Sequence, residues 1–222
     1  MTSATTSTRV WDLPTRLFHW LLVALLGFSW WSAETGEMDW HRLSGSLLFG
    51  LIAFRLIWGF TGGSTARFGT FLRSPVNVVG YLRSTSPEPR SPGHNPVGGY
   101  SVAIMLLLVL MQIATGLFAV DVDGLESGQL SYLVSFDQGR IASEIHEISF
   151  TVLQIVAGIH ILAILFYLLV RKRNLILPMV TGRDSQIDDA RAALIAAGPV
   201  RFIVALVISA ALAWWTAAGF PV

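Results

Sequence analysis

No cysteine occurs anywhere in the 222 residues. That absence excludes disulfides, thiolate-held iron–sulfur clusters, zinc–thiolate sites and the Cys-x-x-Cys-His attachment of a c-type haem. Any cofactor must therefore be held non-covalently by His, Met, Asp, Glu or backbone groups. Charge is scarce as well. Asp, Glu, Lys and Arg make up only 13% of the chain and nearly cancel, to a net +1. Such a balance gives no reason to expect a nucleic acid as partner. What fills the chain instead is apolar, 53% of all residues, with eight tryptophans.

A hydrocarbon core of ~30 Å is crossed by about 20 mostly apolar residues in helical form. Five segments qualify, at Pro14–Ser32, His41–Phe60, Tyr100–Val120, Ile145–Val170 and Val200–Phe220. Because an unpaired backbone group in lipid costs several kcal/mol, each is read as a helix. Asp12 and Pro14 start the first, and Asn95-Pro96 precedes the third. Trp30, Trp31, Trp40, Trp58, Trp214 and Trp215 flank the spans in the manner of interfacial aromatic belts. The first segment has bulky aromatics and no small-residue cleavage site, so it is expected to be retained rather than cleaved as a signal peptide.

Lys and Arg in the connections set the orientation. Arg9 and Arg16 precede the first span, Arg67, Arg73, Arg83 and Arg90 follow the second, and Arg171, Lys172, Arg173, Arg183, Arg191 and Arg201 follow the fourth. The two other connections hold Arg42 and Arg140 against Glu34, Glu37, Asp39, Asp121, Asp123, Glu126, Asp137 and Glu144. The positive-inside bias predicts a multi-pass membrane protein with its N-terminus in the cytoplasm and, with an odd number of spans, its C-terminus outside. The stretch Thr61–Gly99, rich in Gly, Pro, Ser and Arg, reads as irregular. Asp184–Ala197 reads as a short surface helix, with Ile187, Ala190, Leu194 and Ile195 as its apolar positions.

Four of the five histidines, His19, His41, His146 and His160, fall in predicted membrane helices, where an ionisable side chain is costly and by default functional. The plain alternative is a neutral His hydrogen-bonded to a neighbouring helix. Spacing favours function. His146 and His160 stand 14 residues apart, nearly four whole turns, which puts them within about 40° of one face and ~21 Å apart along it. The first span enters from the cytoplasm and the second from outside, so His41 matches the depth of His146, and His19 lies within about a turn of the depth of His160, a difference that helix tilt absorbs. Two facing imidazoles are what six-coordinate haem iron requires, whereas zinc or copper would want three or four ligands converging on one point. Two b haems stacked along the bundle would carry electrons across the bilayer.

Other residues are candidates for the same site. Arg55, 14 residues after His41, either meets a haem propionate or snorkels to the interface. Gly45, one turn from His41, and likewise Gly27, Gly116 and Gly158 either leave room for a porphyrin or serve close helix packing, which is the commoner role for each of them. Glu144 and Glu147 flank His146 and read as solvated acids near a helix start. His94, in Gly-His-Asn-Pro, lies in the cytoplasmic connection. It reads as part of a turn that begins the third span, with contact to a haem propionate or a quinone headgroup as the sharper alternative.

The chain resembles the bacterial cytochrome b561 family and, within it, the b-type cytochrome subunits of nickel–iron hydrogenases. The likeness runs from about residue 9 to 183. It rests on Val10-Trp11-Asp12, Pro14-Thr15-Arg16 and Phe18-His19-Trp20, then on His41, Gly45, Arg55 and Trp58-Gly59. Gly93-His94-Asn95-Pro96, His146-Glu147, His160, Asn174-Leu175, Met179 and Thr181-Gly182-Arg183 complete it. The resemblance implies a membrane-bound four-helix core with two bis-histidine b haems, ligated by His19, His41, His146 and His160. It also implies electron exchange between the quinone pool and a redox partner such as a c-type cytochrome, a dehydrogenase or a hydrogenase.

The expected fold is all-α. Residues 1–183 form a di-haem four-helix membrane bundle, and residues 184–222 a short cytoplasmic amphipathic segment with a fifth, C-terminal transmembrane helix. The expected role is an electron-transfer subunit working among membrane lipid, quinone and a partner protein, more than a stand-alone enzyme. The alternatives are a self-sufficient quinone oxidoreductase using a small diffusible donor, and a haem-free membrane transporter with structural histidines.

Overall fold

The computed structural model describes residues 7–83, 93–187 and 195–219. Five long helices dominate it: α1 (Leu13–Glu34), α2 (Met38–Thr61), α5 (Pro96–Phe118), α6 (Phe136–Leu169) and α8 (Pro199–Ala217). Short helices α3 (Phe68–Phe71) and α4 (Pro75–Arg83) lie between α2 and α5, and α7 (Ile176–Thr181) follows α6. A two-residue strand β1 (Thr8–Arg9) pairs antiparallel with β2 (Arg183–Asp184). Four of the long helices, α2, α5, α6 and α8, are long and apolar enough to cross a membrane. Helix α1 has the length, 22 residues, but mixes Arg16, His19, Ser29, Ser32 and three tryptophans into its apolar run.

By contact density the chain forms two compact units, and each long helix lends a stretch to both. The first unit comprises Met1–Leu17, Ile57–Ala103 and Ile159–Ile203, and the second Phe18–Leu56, Ile104–Gly158 and Val204–Val222.

The first unit is held by a polar knot around Asp12. This carboxylate is buried, and amide and indole N–H groups surround it. Its Oδ1 accepts the Thr15 backbone N–H at 2.9 Å, which caps the first turn of α1. Its Oδ2 accepts the indole N–H of Trp58 at 3.0 Å and the Gly63 backbone N–H at 3.3 Å. Trp58 is thereby buried at 2% exposure, where its position near a helix end suggested an interfacial belt. A buried indole is affordable because its one donor is satisfied. Nearby, the Thr65 hydroxyl donates to Val10 O at 2.7 Å, and Gly182, in the left-handed region at φ 82°, accepts the N–H groups of Val10 and Trp11. Arg16 donates to Val180 O, and Phe68 lies over Gly59 so closely that any side chain there would collide with the ring.

The connection read as irregular therefore contains two short helices. Phe68 and Phe71 anchor them, Phe71 being buried. Helix α5 then begins as a capped helix: Asn95 Oδ1 accepts Gly98 N–H at 2.7 Å, and Pro96 takes the first helical position. Half of the stretch Asp184–Ala197 expected as a surface helix lies outside the described residues; of the remainder, Asp184 belongs to β2 and 195–197 are not helical.

In the second unit α8 packs on α2 through small residues. A Cβ on Gly50 would stand 2.6 Å from Ser209 O and 2.7 Å from the Ala213 Cβ, so only glycine lets the two helices approach this closely. Ala205, Ser209 and Thr216 form the buried side of α8, while Val200, Ile203, Val207 and Trp214 are exposed, as a lipid-facing side would be. Half of the apolar window of α2 is buried, against 6% for α6.

Candidate haem site

His41 enters the second unit one turn into α2, and His146 lies within α6, which starts at Phe136, nine residues ahead of the span read from the sequence. Their imidazole centres are 6.1 Å apart and their planes meet at 82°. Both rings are half-buried. Each is fixed through the same nitrogen. Nδ1 of His41 lies 2.9 Å from Ser29 O and 3.3 Å from the Ser29 hydroxyl on α1. Nδ1 of His146 lies 3.0 Å from Gln112 O and 3.2 Å from the Thr115 hydroxyl on α5. A backbone carbonyl can only accept, so Nδ1 is the protonated nitrogen in both rings and Nε2 keeps its lone pair.

That tautomer is the one a metal-binding imidazole needs, with the far N–H anchored on an oxygen and Nε2 left to donate. The ring separation fits as well: about 2 Å of metal–nitrogen bond on each side, plus the half-widths of two rings, comes to about 6 Å. Near-perpendicular planes do not oppose it, because each ring turns about its own metal–nitrogen axis. Among the described residues no three His, Asp or Glu side chains gather as a metal site. Two imidazoles at this separation suit haem iron, which takes one nitrogen from each side.

The surroundings sort the other candidates. A Cβ on Gly116 would lie 3.0 Å from Cε1 of His146, so this glycine makes room for the ligand ring itself. Gly27, Gly45 and Gly158 would meet no described atom within 4 Å, so close helix packing does not explain them. Arg55 is 2% exposed, with its guanidinium 5.9 Å from the Phe18 ring centre, which removes the snorkelling alternative. Glu144 and Glu147 are exposed. Ser149, one turn after His146, donates a short hydrogen bond to the Gln112 side chain, and both are buried.

The other two membrane histidines fall in different units. His19 is half-buried in the second, its ring edge-on to Trp20 at 4.9 Å, and His160 is half-buried in the first. His94 is held between Trp11 and Phe71, each 4.8 Å from its ring centre.

Reading by sequence overlooked Ser29, Gln112 and Thr115, the residues that orient the imidazoles. A signal for them exists: Gln112 and Thr115 are three apart in an otherwise apolar helix, as are Ser29 and Ser32. Polar pairs at that spacing share a helix face and in lipid must find a partner.

A family model described as prokaryotic cytochrome b561 matches residues 10–182. No curated protein and no solved structure matches the chain.

Proposed function

The chain belongs to the prokaryotic cytochrome b561 family, a family of membrane b-type cytochromes in electron transfer, and from that premise we propose that it is a di-haem wire. One b haem is held between His41 and His146, and the other between His19 and His160. The observation that carries the reading is the His41–His146 pair, 6.1 Å apart with both Nδ1 atoms anchored on backbone carbonyls. The second pair rests on the 14-residue spacing of His146 and His160 and on the matched depth of His19.

Bound haem supplies a one-electron ferric–ferrous couple. The protein's own part is to hold, orient and insulate. Ser29 and Gln112 fix the imidazoles before any ligand arrives, so little ordering is left to be done on binding. Gly116 keeps bulk away from the His146 ring, and Gly45, with open space beside it, leaves room for a porphyrin. Arg55, buried in the same unit as both rings, offers a cation to a haem propionate, which an apolar interior otherwise leaves without a partner. Electrons pass between the quinone pool and a redox partner protein, with the N-terminus in the cytoplasm and the C-terminus in the periplasm.

A pyridine haemochrome assay on the purified protein tests this. We expect about two protohaems per chain, falling to about one in His41→Ala, in His146→Ala and in the double variant alike, because the two ligands share one haem. His19→Ala and His160→Ala should form a second set that behaves the same way. A double variant of His41 and His146 that loses both haems would refute the pairing, and a colourless wild-type protein made with ample haem would refute the function.

A further inference from the structure

Each anchored imidazole has a backbone carbonyl and a hydroxyl at Nδ1: Ser29 O at 2.9 Å and Ser29 Oγ at 3.3 Å on His41, Gln112 O at 3.0 Å and Thr115 Oγ1 at 3.2 Å on His146. The Thr115 hydroxyl has its own proton to place, and Met111 O lies 2.7 Å away, closer than Gln112 O at 3.3 Å. With the proton directed to Met111 O, the lone pairs of Oγ1 are left toward Nδ1 of His146.

We propose that Thr115 is a tuning residue that makes His146 an electron-rich ligand and thereby lowers the reduction potential of the haem it shares with His41. Added acceptor strength at Nδ1–H shifts electron density onto Nε2, which favours ferric over ferrous iron. The inference rests on the bis-histidine reading above. Thr115 touches the ligand ring through Nδ1 and acts on the iron only through His146. Its role is separable from holding the ring, because Gln112 O, a backbone group, orients His146 whatever residue stands at 115.

The test is a spectroelectrochemical titration of purified wild type, Thr115→Val and Thr115→Ser, each repeated in a His160→Ala background so that the remaining haem is the one in question. Haem content is measured first. The expected result is a haem content unchanged by the Thr115 substitutions in either background, an upward shift of one midpoint potential in Thr115→Val with the other unmoved where both haems are present, and the wild-type value restored in Thr115→Ser. Three outcomes overturn the proposal: an unshifted potential in Thr115→Val with its haem retained, a shift in Thr115→Ser as large as in Thr115→Val, or loss of the haem in Thr115→Val, which would make Thr115 a positioning residue. A wild type without haem defeats the bis-histidine reading itself and is detected before any titration.

Discussion

Asp12 shows what one residue can organise at the level of hydrogen bonds. Its carboxylate accepts three N–H groups from Thr15, Trp58 and Gly63, which belong to the start of α1, the end of α2 and the turn beyond it. A buried anion is tolerated when such donors surround it, and each donor would itself be left unsatisfied without the anion. Asp12→Ala orphans a helix cap and a buried indole N–H together, so a loss of at least about 2 kcal/mol is expected. It would appear as a lower apparent melting temperature in detergent, with quenched or shifted Trp58 fluorescence as a local signature. A variant that melts like wild type would show that solvent or lipid headgroups supply what Asp12 does. The same residue scale sets the imidazoles: single carbonyl oxygens decide that Nδ1 of His41 and of His146 carries the proton and that Nε2 keeps its lone pair.

Among the elements, α8 is the one the family resemblance leaves unexplained, since the matched region ends at residue 182. Its small-residue side meets α2 at Gly50. Gly50 is nine residues beyond His41, and nine steps of about 100° bring it to the opposite side of the helix. Helix α2 therefore faces His146 on one side and α8 on the other. Gly50→Val forces a side chain into Ser209 O and Ala213, a typical overpacking cost of about 1–3 kcal/mol. Thermal unfolding should begin earlier in this variant while the absorption spectrum of the bound haems stays unchanged. A changed haem spectrum would mean that α8 braces the ligand helix as well as covering it; an unchanged melting point would mean that α8 shifts freely.

For the whole molecule the number of helices that cross the bilayer fixes which turns lie on which side. Four meet the length and hydropathy that crossing requires, and α1 falls short because its histidine, serines and tryptophans dilute the apolar run. Those polar residues are not wasted in lipid if they face partners: Ser29 meets His41, and the Ser32 hydroxyl donates to Ser29 O. A spanning α1 places the α1–α2 turn outside the cell. Alkaline phosphatase fused after Gly36 should then be active and a fluorescent-protein fusion at the same place dark, with the reverse pattern after Lys172. A phosphatase-inactive Gly36 fusion would leave α1 on the cytoplasmic side and overturn the assigned orientation.

The sequence by itself determined that this is a helical membrane protein with histidines set at helical spacing in its apolar helices. Both are local matters: transfer energy is summed over about 20 consecutive residues, and the 14-residue spacing of His146 and His160 is helix periodicity. It also held the family's motifs, though as scattered words whose purpose could not be read. The tertiary structure decided what they are for. Val10, Trp11, Asp12, Trp58, Gly59, His94, Met179 and Gly182 belong to one compact unit, several of them joined around the Asp12 knot. It also decided that Trp58 is buried, that Arg55 does not snorkel, that Gly116 rather than Gly45 lies against a ligand ring, and that Thr115 shares His146 with Gln112. Each of these depends on hydrogen bonds or close approaches between residues many positions apart. Helix period and hydropathy carry no record of such distances; only the packing of one helix on another creates them.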